Sequence, residues 1–348
     1  MQRPSPSVLI VGAGAAGMVL GYHLSIGGCA VTFLVRPARR EAMRLPQWLY
    51  CYDDGLLKHY SGFDVVTTAA EVAERQIDFL LLTPDATACR SADGTRLLQE
   101  LGEAFRNTTT SFVMLAVGLG LREHVLTTTG LPAERLLEGT LGNAAHQTSA
   151  ALLQHPPTDP ALVAKASIAY RHFPNRVGFM LVPAPRAAAK RFAAIYDRCG
   201  VSRCTLLNAA IYRIYTNAFF CFTATSELLG WPDAAALSRA GPMLSLCVRA
   251  ARDIVGLSQF GVWGKAAGLM LSEKALLKMI GRFERDLRPL DFCAFNRFHH
   301  GDKVLAQDIE VLRVCLREGQ SQGRSMASLG ELLGRYDAAL ISRTRSVA

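Results

Sequence analysis

No stretch of this 348-residue chain stays apolar for long enough to cross a membrane as a helix. Val8–Leu20 is short and rich in glycine, Arg213 interrupts Leu206–Thr223, and Lys265 interrupts Gly256–Ser272. None approaches the roughly 20 uncharged residues that a span requires. The opening residues MQRPSPS are too polar to read as a secretory leader. There is no run of five or six basic residues to serve as a nucleic-acid arm, although 38 Lys+Arg outnumber 29 Asp+Glu and leave a net charge of +9. The excess is spread along the chain and favours, at most, an anionic ligand. The 9 cysteines form no CxxC or other metal-ligand spacing. An odd count in a chain of this size fits reduced thiols in the cytoplasm and no bound metal. No Ser-His-Asp order stands out, which discounts hydrolysis. Heptad, collagen-like and solenoid repeats are also missing.

What is present can build a packed core: 50% of the residues are hydrophobic and 19% charged. The length suggests two domains. Ser7–Val11 is a short β-branched run followed by GAGAAG, a helical stretch ending at Gly27-Gly28, and a second apolar run at Ala30–Val35. That order reads as strand, glycine turn, helix, strand. Further apolar runs at Phe63–Val66, Phe79–Leu82 and Phe112–Val117 alternate with helical stretches near 69–75 and 94–105. The alternation predicts a doubly wound, mostly parallel sheet covered on both faces. Runs at 136–142, 166–173 and 176–182 extend it as a mixed edge. After Pro183 only helical periodicity remains, including a Leu305, Ile309, Leu312, Leu316 stripe within a helix over 303–322. The expected fold class is therefore α/β: a Rossmann-type domain over residues 1–183, then an all-α domain over 184–348 for substrate binding and dimerisation.

The segment Gly12, Ala13, Gly14, Ala15, Ala16, Gly17 spells G-x-G-x-x-G between two strands, the setting that gives the motif meaning. The first glycine allows the tight turn, the second lets backbone approach a pyrophosphate, and the third lets helix pack on strand. The helix starting there presents free N–H groups and the positive end of its dipole to the phosphates. Arg36 closes the second strand, 19 positions after Gly17. A carboxylate at that place accepts from a ribose 2′-hydroxyl, whereas a guanidinium can clamp a 2′-phosphate. The expected cofactor is NADPH, with Arg39 and Arg40 as reinforcement. The bland alternative is that Arg36 is a solvated charge at a strand end.

GAGAAG, the following TFLVRPARRE stretch and the switch to helices together resemble the ketopantoate reductase (2-dehydropantoate 2-reductase) family, with this chain as a divergent member. The resemblance implies NADPH binding and reduction of a 2-oxo acid to a 2-hydroxy acid. The family places a Lys four residues before an Asn on the first long helix of its second domain. In IYRIYTNAFF, Arg213 stands where that Lys would be and Asn217 keeps the Asn. The family's NGLG turn reads VGLG here, with Val117 in place of the Asn, and its late T-E-I-D-like stretch is replaced by HHGDKVLAQDIE. Reduction of a carbonyl needs a proton donor, a task a buried Lys can perform and an Arg cannot. Arg213 then becomes an anion clamp or electrostatic stabiliser.

The best replacement donor lies in His299-His300-Gly301-Asp302-Lys303, read as a loop opening the 303–322 helix. His300 has the near-neutral imidazole that suits the role, and Lys303 can serve as acid or hold a substrate carboxylate. The competing reading makes Asp302 the N-cap of a helix starting at Lys303. Asn143 and His146 read as a loop following a strand, with a weaker claim on the nicotinamide end. Tyr212, Tyr215, Phe219, Phe220, Cys221 and Phe222, like Trp231 and Trp263, read mainly as core. The expected activity is NADPH-dependent reduction of a small anionic carbonyl or imine compound, with room for a homodimer and no nucleic-acid or membrane partner. The alternative is a non-catalytic NADP(H)-binding sensor or interaction protein.

Overall fold

A computed structural model of the chain describes residues 5–149 and 154–347. Backbone contacts divide it into two compact units, one ending at Ala209 and the other starting at Ala210. The first is built on an 8-stranded sheet. Its parallel part comprises β1 (Ser7–Val11), β2 (Ala30–Leu34), β5 (Asp64–Val66), β6 (Phe79–Leu82), β7 (Ser111–Met114) and β8 (Leu136–Leu141), in the order β5-β2-β1-β6-β7-β8. β11 (Val177–Leu181) joins β8 antiparallel, and β12 (Arg203–Leu206) pairs parallel with β11. The doubly wound sheet is thus present, and the runs at 136–142 and 176–182 form its mixed edge, but the run at 166–173 does not join it and pairs in a separate sheet instead.

β1 reads as an unbroken apolar run because both of its faces are covered: Val8, Leu9 and Ile10 are completely buried. One face packs against the helices Ala92–Ala104 and Leu121–Thr129, through residues that include Leu98, Leu101 and Val125. The other carries the glycine-turn helix α1 (Ala15–Ile26) and Arg186–Asp197. A second sheet of 4 strands, in the order β4-β3-β10-β9, then closes over α1. Its strands are β3 (Gln47–Cys51), β4 (Leu56–Tyr60), β9 (Asn143–Gln147) and β10 (Ile168–His172). Of these, only β10 falls within one of the runs read above as strands. The sequences LLKHY and NAAHQ lack a β-branched run, and they become strands through pairing with β3 and β10.

The boundary read near residue 184 therefore has to be compared with one at 209. Arg186–Asp197 buries Ala189, Phe192 and Tyr196 in the sheet's core, and β12 adds an edge strand. Both belong with the first unit. The second unit consists chiefly of the helices Ala209–Leu229, Gly241–Val255, Gly261–Met270, Glu273–Asp286, Leu305–Ser321 and Ala327–Val347. The Leu305 stripe is real but turned slightly: the buried face runs through Asp308, Ile309, Leu312 and Cys315.

Candidate nucleotide and proton-transfer sites

β1 and β2 are parallel, with Val11 opposite Leu34, so the glycine turn and Arg36 emerge at the same carboxyl edge of the sheet. The Gly12 N–H donates to the Leu34 carbonyl at 2.9 Å and fixes the start of the turn. The helical crossovers from β1 go to β2 on one side, while β6 flanks β1 on the other, so the turn lies where the strand order reverses. Open α/β sheets bind ligands at that point.

The three glycines differ in what they do. Gly12 has φ 100°, and a Cβ there would come within 2.6 Å of Thr83 Oγ1. At Gly17 a Cβ would meet the Gly12 carbonyl oxygen at 2.2 Å, a backbone clash with no room to relax. At Gly14 a Cβ would meet nothing within 4 Å. Gly12 and Gly17 are thus required by the chain itself, while the space beside Gly14 is open to something else. Gly14 is also the N-cap of α1 and gives no side-chain cap, and the first turn holds no acidic residue. The residues present fit a dinucleotide: an open approach, orphan N–H donors and a favourable helix dipole.

Arg36 and Arg39 are exposed, and neither side chain forms an ion pair or hydrogen bond with another described residue. Arg40 is committed elsewhere. Its guanidinium pairs with Glu71 at 3.1 Å. Hydrogen bonds from the Thr67 backbone and hydroxyl, with Arg40 beside it, hold the Glu71 carboxyl down at about 2. Val117 is half-buried in the loop after β7, ahead of Gly120, which caps Leu121–Thr129 in the left-handed conformation.

Within the helical unit, Arg297–Lys303 is not a loop but a π-helical turn, closed by a Val304 N–H to His299 carbonyl bond at 3.0 Å. The following helix starts at Leu305 without a side-chain cap, so Asp302 is not its N-cap. His300 Nδ1 lies 2.7 Å from Asp308 Oδ2, and Thr223 donates to the same oxygen at 3.2 Å. Asp308 is completely buried. Burial raises its carboxyl above the ordinary range, and the His300 imidazole opposes that rise. Phe219 and Phe220 pack edge-on against the His300 ring. Burial, with the charges of His300 and Lys303, pushes His299 well below its usual value, so His299 stays neutral. Lys303 is exposed and Arg213 half-buried. Asn217 is buried, donating to the Arg213 carbonyl at 2.7 Å and accepting from Cys315 Sγ at 3.8 Å. Its amide is used inside the helical unit.

Asp308 and Thr223 are the functional candidates that sequence reasoning missed. Their signal was available: an acidic residue next to Ile309 on an apolar helix face needs a partner. Asn143 and His146 lie on β9 rather than in a loop. His146 is a satisfied core histidine, bonded to Tyr52 Oη at 3.1 Å and the Gln147 carbonyl at 2.9 Å, and burial lowers its pKa. Tyr212, Phe220, Cys221 and Phe222 are core, but Trp263 is 47% exposed. All 9 cysteines are free thiols. One ligand-like group does form, from Cys51, Asp53 and His172 within 4.8 Å of one another, which no sequence spacing revealed. Arg171 and His172 already occupy the Asp53 carboxylate, and burial pushes the Cys51 thiol up to about 11.

The sheet, its switch-point turn and the open helix terminus define a dinucleotide-binding α/β domain joined to a helical unit. Residues 8–158 match the family model described as ketopantoate reductase PanE/ApbA. The chain as a whole has the same fold as a 2-dehydropantoate 2-reductase from Methylococcus capsulatus, with TM-score 0.67, 18% identity and 98% of each chain covered. It is similarly related to D-mandelate dehydrogenase solved with NADH, with TM-score 0.64 and 15% identity over 97% of this chain and 99% of that one. A dimeric ketopantoate reductase from Staphylococcus aureus gives TM-score 0.58 and 13% identity, covering 95% of this chain and 98% of the other. No curated protein matches the sequence. No described helix is long and apolar enough to cross a membrane.

Proposed function

We propose that this protein is an NADPH-dependent oxidoreductase of the ketopantoate-reductase type, reducing a 2-oxo acid or a closely related carbonyl or imine compound. The observation that carries the reading is the glycine turn: Gly12 is closed by the Thr83 side chain and Gly17 by the Gly12 carbonyl, while the space at Gly14 stays open. Gly12, Ala13, Gly14, Ala15, Ala16 and Gly17 would hold the diphosphate, and Val117 would flank the cofactor. Arg36 selects the 2′-phosphate through charge-assisted bonds. When bound, NADPH supplies the hydride.

The remaining work falls to the chain. A proton must reach the substrate oxygen as it becomes a hydroxyl, and His300 is the group suited to carry it. With Nδ1 held by Asp308, its Nε2 is the nitrogen left for substrate. Arg213 and Lys303 supply positive charge for a substrate carboxylate, and Asn217 braces the Arg213 turn through the carbonyl it binds. Cytoplasmic placement and a homodimer complete the proposal, the latter supported by the dimeric relative.

The test is NADPH oxidation against a panel of 2-oxo acids and cyclic imines. We expect turnover with at least one compound, and a loss of about 10²-fold or more in kcat for His300→Ala. Tight NADPH binding with no turnover on any member would instead favour a non-catalytic sensor, a reading to which the inward-facing Asn217 amide lends some support.

A further inference from the structure

The π-helical turn that carries His300 also lines a cavity within the helical unit. Its volume is about 340 Å³, and Glu227, Gly230, Trp231, Arg297, Gly301 and Asp302 surround it. That size sits at the lower end of the range for small-molecule sites. Its construction is unusual for a surface dent. Trp231, just past the end of Ala209–Leu229, has φ 61°, a left-handed conformation that an aromatic residue rarely adopts. The indole is fixed there by its Nε1–H, which donates to Glu227 Oε2 at 2.8 Å. Across from it, a Cβ at Gly301 would come within 2.9 Å of the same Nε1. Only glycine lets the turn's backbone lie against the indole. A left-handed tryptophan, a π-helical turn and a glycine with no space for a side chain thus meet at one place, and such features concentrate at binding sites.

The charges of the lining define the ligand. Glu227 and Asp302 bring two carboxylates and Arg297 one guanidinium. Neither Arg297 nor Asp302 forms an ion pair with another described side chain. A dianion would be repelled by the two carboxylates, and a simple cation would leave the Arg297 guanidinium without a counter-charge. A molecule bearing one carboxylate and one ammonium group meets both.

We propose that this cavity binds a small zwitterion of α-amino acid size. Its carboxylate pairs with Arg297, and its ammonium group lies between Glu227 and Asp302, against the Trp231 indole. The inference stands independently of the reductase reading, because every residue it uses lies outside the groups assigned to NADPH, proton transfer or substrate.

Calorimetric titration of the full chain with L-leucine, L-glutamine and L-lysine tests it, with tryptophan fluorescence followed in parallel. Two half-ligands, 3-methylbutylamine and 4-methylpentanoate, each keep one charged end of leucine. Saturable binding of at least one amino acid is expected, with half-ligands about tenfold weaker or worse than leucine where leucine binds. Arg297→Ala and Asp302→Ala, both at exposed positions, should each weaken binding by about tenfold, and Gly301→Ala should abolish it. Should Gly301→Ala not fold, the two exposed variants decide. The proposal is overturned if no amino acid binds saturably, if the amine binds as well as leucine, or if both exposed variants bind like the parent chain.

Discussion

His300 and Asp308 are eight residues apart, and the fold brings their side chains to 2.7 Å. A carboxyl without solvent exposure is costly unless it finds partners, and here His300 and Thr223 both engage its Oδ2. In the proposed reaction Asp308 is a positioning residue, acting through the imidazole it bonds. Asp308→Asn should therefore lower turnover by about tenfold, and His300→Ala by about 10²-fold. The double variant should lose no more than His300→Ala alone, since both changes remove one function. Steady-state kinetics of the three variants checks this; full additivity would separate the two roles. At this scale the sequence was partly legible. Gly12, Gly14, Gly17 and Arg36 announce themselves because a motif of fixed spacing lies between two strands. Asp308 does not, because its partners come from the π-helical turn and the distant Ala209–Leu229 helix. Arg40 reads in sequence as reinforcement for Arg36, yet the fold brings Glu71 to it.

At the scale of elements, α1 explains much of the first unit. It is covered by the large sheet on one side and the small sheet on the other, so even His23 is buried. His23 Nδ1 faces Tyr196 Oη at 2.8 Å, and its ring stacks on His172 at 5.1 Å. Burial, with the neighbouring His172 imidazole, pushes its pKa down to about 3. A histidine with a depressed folded-state pKa resists protonation, so its contribution to stability is complete above the unfolded pKa of about 6.5 and is lost as pH falls toward 3. The expected loss is about 2 kcal/mol between pH 7.5 and pH 5. Urea unfolding at the two pH values should show it, and His23→Gln should show a smaller change; an equal change in both would remove His23 from the explanation. The same helix separates two kinds of glycine. Gly17→Ala should destabilise the fold by about 1–3 kcal/mol, because its Cβ meets the backbone of Gly12. Gly14→Ala should leave the unfolding midpoint nearly unchanged and weaken nucleotide binding. Comparing thermal midpoints with NADPH titrations distinguishes the two. The large sheet could be read from its apolar runs, but the small one could not. β4 and β9 lack a strand-like composition and take their form from the strands beside them.

At the scale of the whole molecule, the composition pointed correctly to a sheet domain followed by helices. It placed the change of texture near 184 because Arg186–Asp197 is a helix like those that follow. Only its packing partners assign it to the sheet, and β12 (RCTL) is a largely exposed edge strand with no apolar run to announce it. In the helical unit, Gly261–Met270 leaves Val262, Leu269 and Met270 largely exposed. Apolar side chains grouped on one helix suit an interface between copies. Sedimentation should report a dimer, and Leu269→Glu with Met270→Glu should shift it toward monomer. A monomer in the parent chain at micromolar concentration would contradict the homodimer.

The most direct measurement is the affinity of the chain for NADPH and NADH, before and after Arg36→Asp. The parent should bind NADPH saturably and about 10²-fold or more tighter than NADH, and the variant should lose most of that preference. No saturable NADPH binding, or a preference unmoved by the substitution, would contradict the assignment of the glycine turn and Arg36 to the phosphorylated coenzyme.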